Sequence, residues 1–246
     1  MADSLVIIPT YNEKENIGKI IEAVLSLEKD FHVLIVDDGS PDGTAQVVKA
    51  LQQRHPNAIF LIERQGKLGL GTAYIAGFKW GLQRRYDYFF EMDADFSHNP
   101  EDLVRLHDAC LNGADMAIGS RYKSGVNVVN WPMGRVLMSY FASKYVRLIT
   151  GMKIHDTTAG FKCYHRRVLE AMDFDKIRFK GYAFQIEMKF TAWKMKFNIV
   201  EIPIVFTERQ VGKSKMTGGI FNEAFWGVLT MKARSIFFPY KRKEKQ

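Results

Sequence analysis

Short apolar runs and amphipathic stretches take turns along the first half of the chain. Leu5–Pro9, Val33–Val36, Ile59–Ile62, Tyr88–Met92 and Met116–Ile118 are apolar runs of strand type. Between them lie segments with helical spacing: Ile17–Leu27, Val47–Gln53, a stretch ending near Leu82, and Pro100–Leu111. Gly39-Ser40-Pro41-Asp42-Gly43-Thr44 supplies turn chemistry and a helix cap after the second strand. Short strands separated by helices predict an α/β fold built on a mostly parallel, doubly wound sheet flanked by helices. The second half changes character. Trp131–Thr150, Ala183–Met195 and Asn222–Phe238 read as helices rich in aromatic residues or Met, and Phe161–Tyr164 and Ile199–Phe206 as further strands. The last of these helices leads into the basic run Lys241-Arg242-Lys243-Glu244-Lys245. No internal repeat or low-complexity linker interrupts the pattern.

With 246 residues, 47% of them hydrophobic, the chain can bury a full core as one large domain or two intimate ones. Its two cysteines, Cys110 and Cys163, lack metal-ligand spacing and read as buried free thiols, which favours a cytosolic setting. Met1-Ala2-Asp3-Ser4 has neither the basic region nor the apolar run of a signal peptide, and no apolar stretch reaches the roughly 18 residues of a spanning helix. The chain is therefore expected not to cross a membrane by itself. A net charge of +8 favours an anionic partner: nucleic acid, anionic lipid or a phosphorylated substrate.

The chemistry concentrates where apolar runs stop. Asp93-Ala94-Asp95 follows the fourth run directly, and a strand delivers such carboxylates to the crevice where open α/β sheets bind ligands. Two neighbouring carboxylates repel unless a cation or proton lies between them, and Mg2+ or Mn2+ shared with phosphate oxygens is the usual solution. Pro9-Thr10-Tyr11-Asn12-Glu13 ends the first strand, either as an ordinary turn capped by Thr10 or Asn12, or as a nucleoside pocket. In the second case Tyr11 offers a flat face to a base and Glu13 accepts from base or ribose. Asp37-Asp38 ends the second strand, with Asp38 placed to accept from a base N–H or a ribose hydroxyl. Three acidic strand ends together point to a nucleotide held through base, sugar and metal-bridged phosphates. Gly66-Lys67-Leu68-Gly69-Leu70-Gly71 has the wrong spacing and place for a dinucleotide fingerprint and reads as a loop, with Lys67 or its amides near the nucleotide. Cations gather in the later segments: Arg121 after the fifth strand, Arg135 and Ser139 one helical turn apart, and Arg209, Lys213 and Lys215 in a polar loop. The planar guanidinium fork suits phosphate oxygens. His98 and the pair His155-Asp156 are weaker candidates, since six histidines are scattered through the chain.

Taken in order, IPTYNEKENI, VDDGSPDGT, EMDADFSHNPEDL, GSRY, HDTTAGFKCY, KGYAFQIEM and ERQVGKSKM resemble the polyprenol-phosphate (dolichol-phosphate) mannose synthases, within the family 2 GT-A glycosyltransferases. The likeness runs from residue 7 to about 217. It implies a GT-A (Rossmann-like) domain over residues 1–220, with a nucleotide-sugar half (1–120), an acceptor half (121–220) and an amphipathic, membrane-interface segment at 221–246. It also implies an inverting, metal-dependent transfer of mannose from GDP-mannose to a polyprenyl phosphate. Pro9, Tyr11, Glu13, Val36 and Asp38 would hold the donor nucleoside, and Asp93, Ala94 and Asp95 the diphosphate and its Mg2+ or Mn2+. Arg209 and Lys215 would close over the diphosphate, while Arg121, Arg135 and Ser139 would receive the lipid phosphate. Asp95, Asp93 and Arg121 are the expected catalytic residues, and Glu187 is a loose candidate for orienting a group in the site. Ser97 departs from relatives that carry Gln there, which makes it at most a weak metal ligand acting through water. Some relatives append transmembrane helices that this chain lacks, so the expectation is a peripheral protein on the cytoplasmic face of a membrane, with room for a separate membrane-anchoring partner. A UDP-glucose-dependent glucosyltransferase is the alternative within the family. A nucleotidyltransferase would share the metal and nucleotide pocket, and a basic nucleic-acid-binding module would share the charge. The latter has no need of three acidic strand ends, so no nucleic acid is expected as a partner.

Overall fold

Leu5-Val6-Ile7-Ile8 leaves no polar side to the first strand, so the strand must be covered on both faces. The computed structural model, which describes residues 2–208, 219–238 and 240–242, shows how. β1 (Ser4–Thr10), β2 (Phe31–Asp37), β3 (Ile59–Glu63), β4 (Tyr88–Glu91), β5 (Met116–Ser120), β7 (Lys162–His165) and β8 (Ile199–Pro203) form one sheet in the order β3-β2-β1-β4-β7-β5-β8. Every pairing is parallel except those of β7, which runs antiparallel to β4 and β5. A two-stranded parallel pair, β6 (Val128–Val129) with β9 (Phe206–Thr207), stands apart.

Helices α1 (Lys14–Leu25), α2 (Thr44–Arg54) and α4 (Asp102–Leu111) cover one face, packing Ile17, Ile20, Val48 and Leu106 against Val6, Ile8, Val33 and Ile35. The other face carries α3 (Leu70–Leu82), α6 (Arg166–Ala171), α7 (Ala183–Lys194) and parts of α5 (Met133–Thr150) and α8 (Gly219–Phe237). Leu5, Ile7, Leu34 and Val36 meet Tyr74, Phe78 and Phe184 there. The alternation of consecutive strand residues between these two clusters is the period of two that a strand imposes. Cys110 and Cys163 are both buried and free.

The chain leaves β1 toward β2 and β3, then returns to place β4 on the other side of β1. At such a reversal the crossover helices diverge to opposite faces and open a crevice beyond the carboxyl ends of the strands. Register fixes what faces it: Thr10 pairs with Asp37 and Ile7 with Glu91, so the residues after these positions emerge side by side.

Several elements differ from the sequence expectation. The run Ile199–Phe206 is not one strand: β8 stops at Pro203, Ile204 N makes the last bond to β5 by donating to Ser120 O (3.1 Å), and the chain then pairs as β9 with β6. The helix expected from Trp131 starts after Pro132, whose ring holds the preceding backbone extended. It ends at Gly151, which has φ +81. Two-residue β6, six-residue α6 and a 3-10 turn at Phe174–Lys176 are too short to show a period in the sequence.

Candidate functional site

The crevice is a cleft of ≈ 940 Å³. Its donor side is built by two turns that hold each other. Neither Thr10 nor Asn12 caps α1. The Thr10 hydroxyl donates to Asp37 Oδ1 (2.7 Å), while Asn12 N and Glu13 N donate across to Ser40 Oγ (2.9 Å) and Thr44 Oγ1 (3.0 Å). Lys14 N donates to Asp42 Oδ2 (3.1 Å), so the start of α1 is capped from the next turn along the sheet edge. Asp37 also accepts from Ser40 N (2.8 Å), which makes it the strut between the turns. Pro9, Tyr11, Glu13 and Asp38 line the cleft. Asp38 is nearly buried, and its carboxylate accepts from Arg64 Nε (2.6 Å) and Leu68 N (3.2 Å). Val36 does not reach the cleft: it is fully buried, opposite Pro9 in the sheet, and its side chain belongs to the core. The glycine-containing loop does reach it through Lys67 and Gly69, with the Lys67 ammonium 5.4 Å from the centre of the Tyr11 ring.

Asp93, Ala94 and Asp95 form the cleft floor after β4. Asp95 is 6% exposed, and its Oδ1 accepts from both Ser97 N (3.1 Å) and Ser97 Oγ (2.6 Å). The Ser97 hydroxyl thus holds the Asp95 carboxylate from one side. Among the described residues no cluster of three or more His, Cys, Asp or Glu forms a ready-made metal cage. The turn offers a cation two carboxylates, a donor set suited to an ion that fills its shell with phosphate oxygens and water. Behind the floor, Glu91 is fully buried against Lys162 Nζ (3.0 Å) and Tyr164 Oη, which donates to it at 2.7 Å. His98 stacks on Phe161 with ring centroids 4.8 Å apart, and its buried Nδ1 has no hydrogen-bond partner. Burial pushes its pKa down to about 4, so the ring stays neutral near pH 7.

On the acceptor side, Arg121, Arg135 and Ser139 all line the cleft. Arg121 is 5% exposed and donates through Nε and Nη2 to Asp156, at 2.7 Å each, and from Nη2 to Thr158 Oγ1 (2.8 Å). Burial by itself would lower the guanidinium pKa, but the fully buried Asp156 carboxylate outweighs it and holds the proton more firmly. Burial likewise works to raise Asp156, and Arg121 overrides it so that the carboxylate stays ionised. Arg135 donates to Glu208 Oε1 (2.8 Å) and lies 4.2 Å from the centre of the Trp131 ring. Ser139 Oγ is buried beside the Tyr122 hydroxyl. Beyond these groups the cleft runs onto Met138, Phe141, Tyr145 and Phe225, on α5 and α8.

Arg209, Lys213 and Lys215 lie outside the described residues. His155 does not line the cleft; its ring nitrogen Nδ1 is 2.8 Å from Glu201. Glu187 is also away from it, buried and accepting from Arg178 N (2.9 Å) and Phe179 N (3.0 Å), a structural brace for that loop. The residues that sequence reasoning missed are mainly the partners: Arg64 behind Asp38, Asp156 behind Arg121, Glu208 on Arg135, and Trp131. Of these, Asp156 and Glu208 stood in marked motifs, where their neighbours His155 and Arg209 drew the attention.

Comparison with known proteins places this arrangement. The pattern of glycosyl transferase family 2 matches residues 5–173. The chain belongs to this family. It is a glycosyltransferase with a GT-A fold. A polyprenol monophosphomannose synthase of Mycolicibacterium smegmatis is 49% identical over 230 residues, covering 92% of this chain and 87% of that protein. An undecaprenyl-phosphate mannosyltransferase of Micrococcus luteus is 45% identical over 229 residues, covering 91% and 93%. Among solved structures, glucosyl-3-phosphoglycerate synthase from Mycobacterium tuberculosis with phosphoglyceric acid superposes with a TM-score of 0.71 at 16% identity, over 94% of this chain and 80% of that one. The same enzyme with Mn2+, uridine diphosphate and glucosyl-3-phosphoglycerate gives 0.68 at 16% identity, over 97% and 81%. At that identity the likeness is one of fold. In this glycosyltransferase the family match ends before α7, β8 and α8, although α7 and α8 both contribute side chains to the cleft.

Proposed function

We propose that this glycosyltransferase moves mannose from GDP-mannose to a polyprenyl phosphate, with inversion at the anomeric carbon. The observation that carries the reading is one continuous cleft. It joins acidic strand ends (Asp38, Asp93, Asp95) to two arginines and then to an apolar helix surface. A nucleotide-sugar, a phosphate and a prenyl chain are the three chemistries that match those regions in order. The names of the M. smegmatis and M. luteus relatives supply mannose and a prenyl-type phosphate.

On this reading residues 1–120 hold the donor and 121–220 the acceptor. Asp93 and Asp95 would hold Mg2+ or Mn2+, which when bound neutralises charge on the donor diphosphate. Arg209 and Lys215 assist there, and Tyr11, Glu13 and Asp38, with the backbone at Pro9, hold the nucleoside. The acceptor is a phosphate monoester carrying about −1.5 to −2 charge at neutral pH, so its oxygen attacks without a general base. A new C–O bond forms to the sugar as the bond to the diphosphate breaks, and the electron pair leaves with GDP. Arg121, Arg135 and Ser139 offset the repulsion between acceptor and diphosphate; Arg135 exchanges Glu208 for the acceptor phosphate as it does so.

No helix among the described residues is long and apolar enough to cross a membrane. Yet α5 and α8 expose Met133, Leu137, Phe141, Leu148, Trp226 and Phe237, with Lys144, Arg147 and Lys232 on the same helices. Peripheral binding of these helices to an anionic membrane surface, on its cytoplasmic face, would bring the cleft to its lipid acceptor. Incubation with polyprenyl phosphate and labelled GDP-mannose or UDP-glucose tests the whole reading. A mannolipid and free GDP are expected; a glucolipid would reassign the donor, and no lipid-linked sugar from either would sink it.

A further inference from the structure

Glu201 is on β8, the edge strand, outside the cleft, and its side chain is 5% exposed. A carboxylate is a costly group to bury at that place unless its oxygens are well used. Its Oε1 accepts from Ser120 Oγ (2.8 Å) and Asp156 N (2.9 Å). Its Oε2 accepts from His155 N (2.8 Å), and His155 Nδ1 lies at the same distance. These bonds go to two places only: the residue just before Arg121, and the two-residue segment that ends in Asp156. Asp156 in turn accepts from Arg121 at N (3.0 Å), Nε and Nη2, and from Thr158 Oγ1 (3.2 Å).

We propose that Glu201 is a positioning residue for acceptor binding, which clamps Ser120 to Asp156 and so fixes the Arg121 guanidinium toward the acceptor phosphate. This rests on the reading above in which Arg121 contacts that phosphate. An unrestrained arginine side chain carries rotamer entropy that binding must remove. Here the restraint is built during folding, so the phosphate meets a group already in place. With Nε and Nη2 committed to Asp156, Nη1 is the nitrogen left out of the clamp. Small errors in such placement are expensive, since a displacement of ~1 Å can change rates about a hundredfold. The far end of the clamp, His155, is half-exposed and reaches solvent outside the cleft.

The test uses the full chain and two ligands measured separately by titration calorimetry: farnesyl phosphate for the acceptor site and GDP for the donor site. Glu201→Gln turns an amide N–H2 toward one pair of donors. It should weaken farnesyl phosphate about tenfold, a change of hydrogen-bond size, and leave GDP within about twofold. Arg121→Ala should weaken farnesyl phosphate more, and Glu201→Gln added to it should have no further effect, because the clamp then has nothing to aim. Additive losses, or equal weakening of both ligands, would overturn the proposal in favour of a merely structural glutamate. If Glu201→Gln does not fold, His155→Ala removes only the half-exposed arm and should show the same selectivity at about two- to threefold. Unchanged farnesyl phosphate affinity in that variant overturns the proposal. If Arg121→Ala itself leaves farnesyl phosphate binding unchanged, the acceptor-site reading of Arg121 is what fails.

Discussion

Ser97 and Asp95 share a side-chain hydrogen bond of 2.6 Å, and it separates two parts that a motif alone runs together. Asp95→Ala removes a carboxylate from the cleft floor and should lower turnover by about 10²–10³-fold or more at saturating metal, with the fold intact by circular dichroism. Ser97→Ala removes only an orienting donor, while Ser97 N still holds Asp95. A loss of about tenfold is expected, with the ratio of Mg2+- to Mn2+-supported rates unchanged. A shifted ratio would put Ser97 on the metal. His98 makes the other argument at this scale. Its pKa is about 4 in the fold against 6.5 when unperturbed, so below pH 6.5 the unfolded chain gains a proton that the folded chain refuses. The stability His98 contributes is complete above pH 6.5 and falls away toward pH 4, by roughly 3 kcal/mol in all. His98→Phe keeps the stack on Phe161, and urea unfolding at pH 6.5, 5.5 and 4.5 should show a flatter decline than the parent. Residue types at strand ends were legible because they break an apolar pattern. Arg64 and Glu208 were not, since one charged residue among 62 carries no mark of its partner.

At the scale of elements, spacing between helix and sheet is set by what the facing positions lack. A Cβ on Gly77 would lie 2.6 Å from Ile7, and one on Gly81 2.5 Å from Phe89, so α3 rides directly on β1 and β4. Gly77→Ala gains about 1 kcal/mol of helix propensity but forces the helix off the sheet, and a net loss of roughly 1–2 kcal/mol is expected in chemical denaturation. Gly134 in α5 has nothing within 4 Å, so Gly134→Ala should be neutral or stabilising by up to about 1 kcal/mol. The opposite signs distinguish a packing requirement from a general dislike of glycine. Long periodic elements were readable from sequence: β1 to β5 and α1 to α4 lie within a few residues of the expected positions. The division of Ile199–Thr207 between two sheets was not, because strand propensity is silent about which partner edge is available.

For the whole molecule, the decisive arrangement is that the donor turns, the paired arginines and the exposed faces of α5 and α8 meet at one cleft. α8 is not a detached tail: Val228 and Met231 belong to the core, and Tyr145 of α5 stacks on its Phe225 at 4.9 Å. Its outward residues are a separate surface. Replacing Trp226 and Phe237, together with the exposed Leu148 of α5, by serine should leave thermal stability nearly unchanged but reduce flotation with anionic liposomes by about tenfold or more. Equal flotation would remove the membrane-facing reading while leaving the cleft chemistry standing. The sequence by itself determined the fold class and the strand ends that carry acid, because both follow from short-range periodicity and from where it stops. It also marked Arg121, Arg135 and Ser139, which lie on elements with clear patterns. Tertiary structure alone decided who holds whom: Asp156 and Glu201 behind Arg121, Glu208 on Arg135, Ser97 turned to Asp95. Those pairings join residues up to 81 positions apart, as Ser120 and Glu201 are, and only the strand order brings such positions within hydrogen-bonding distance.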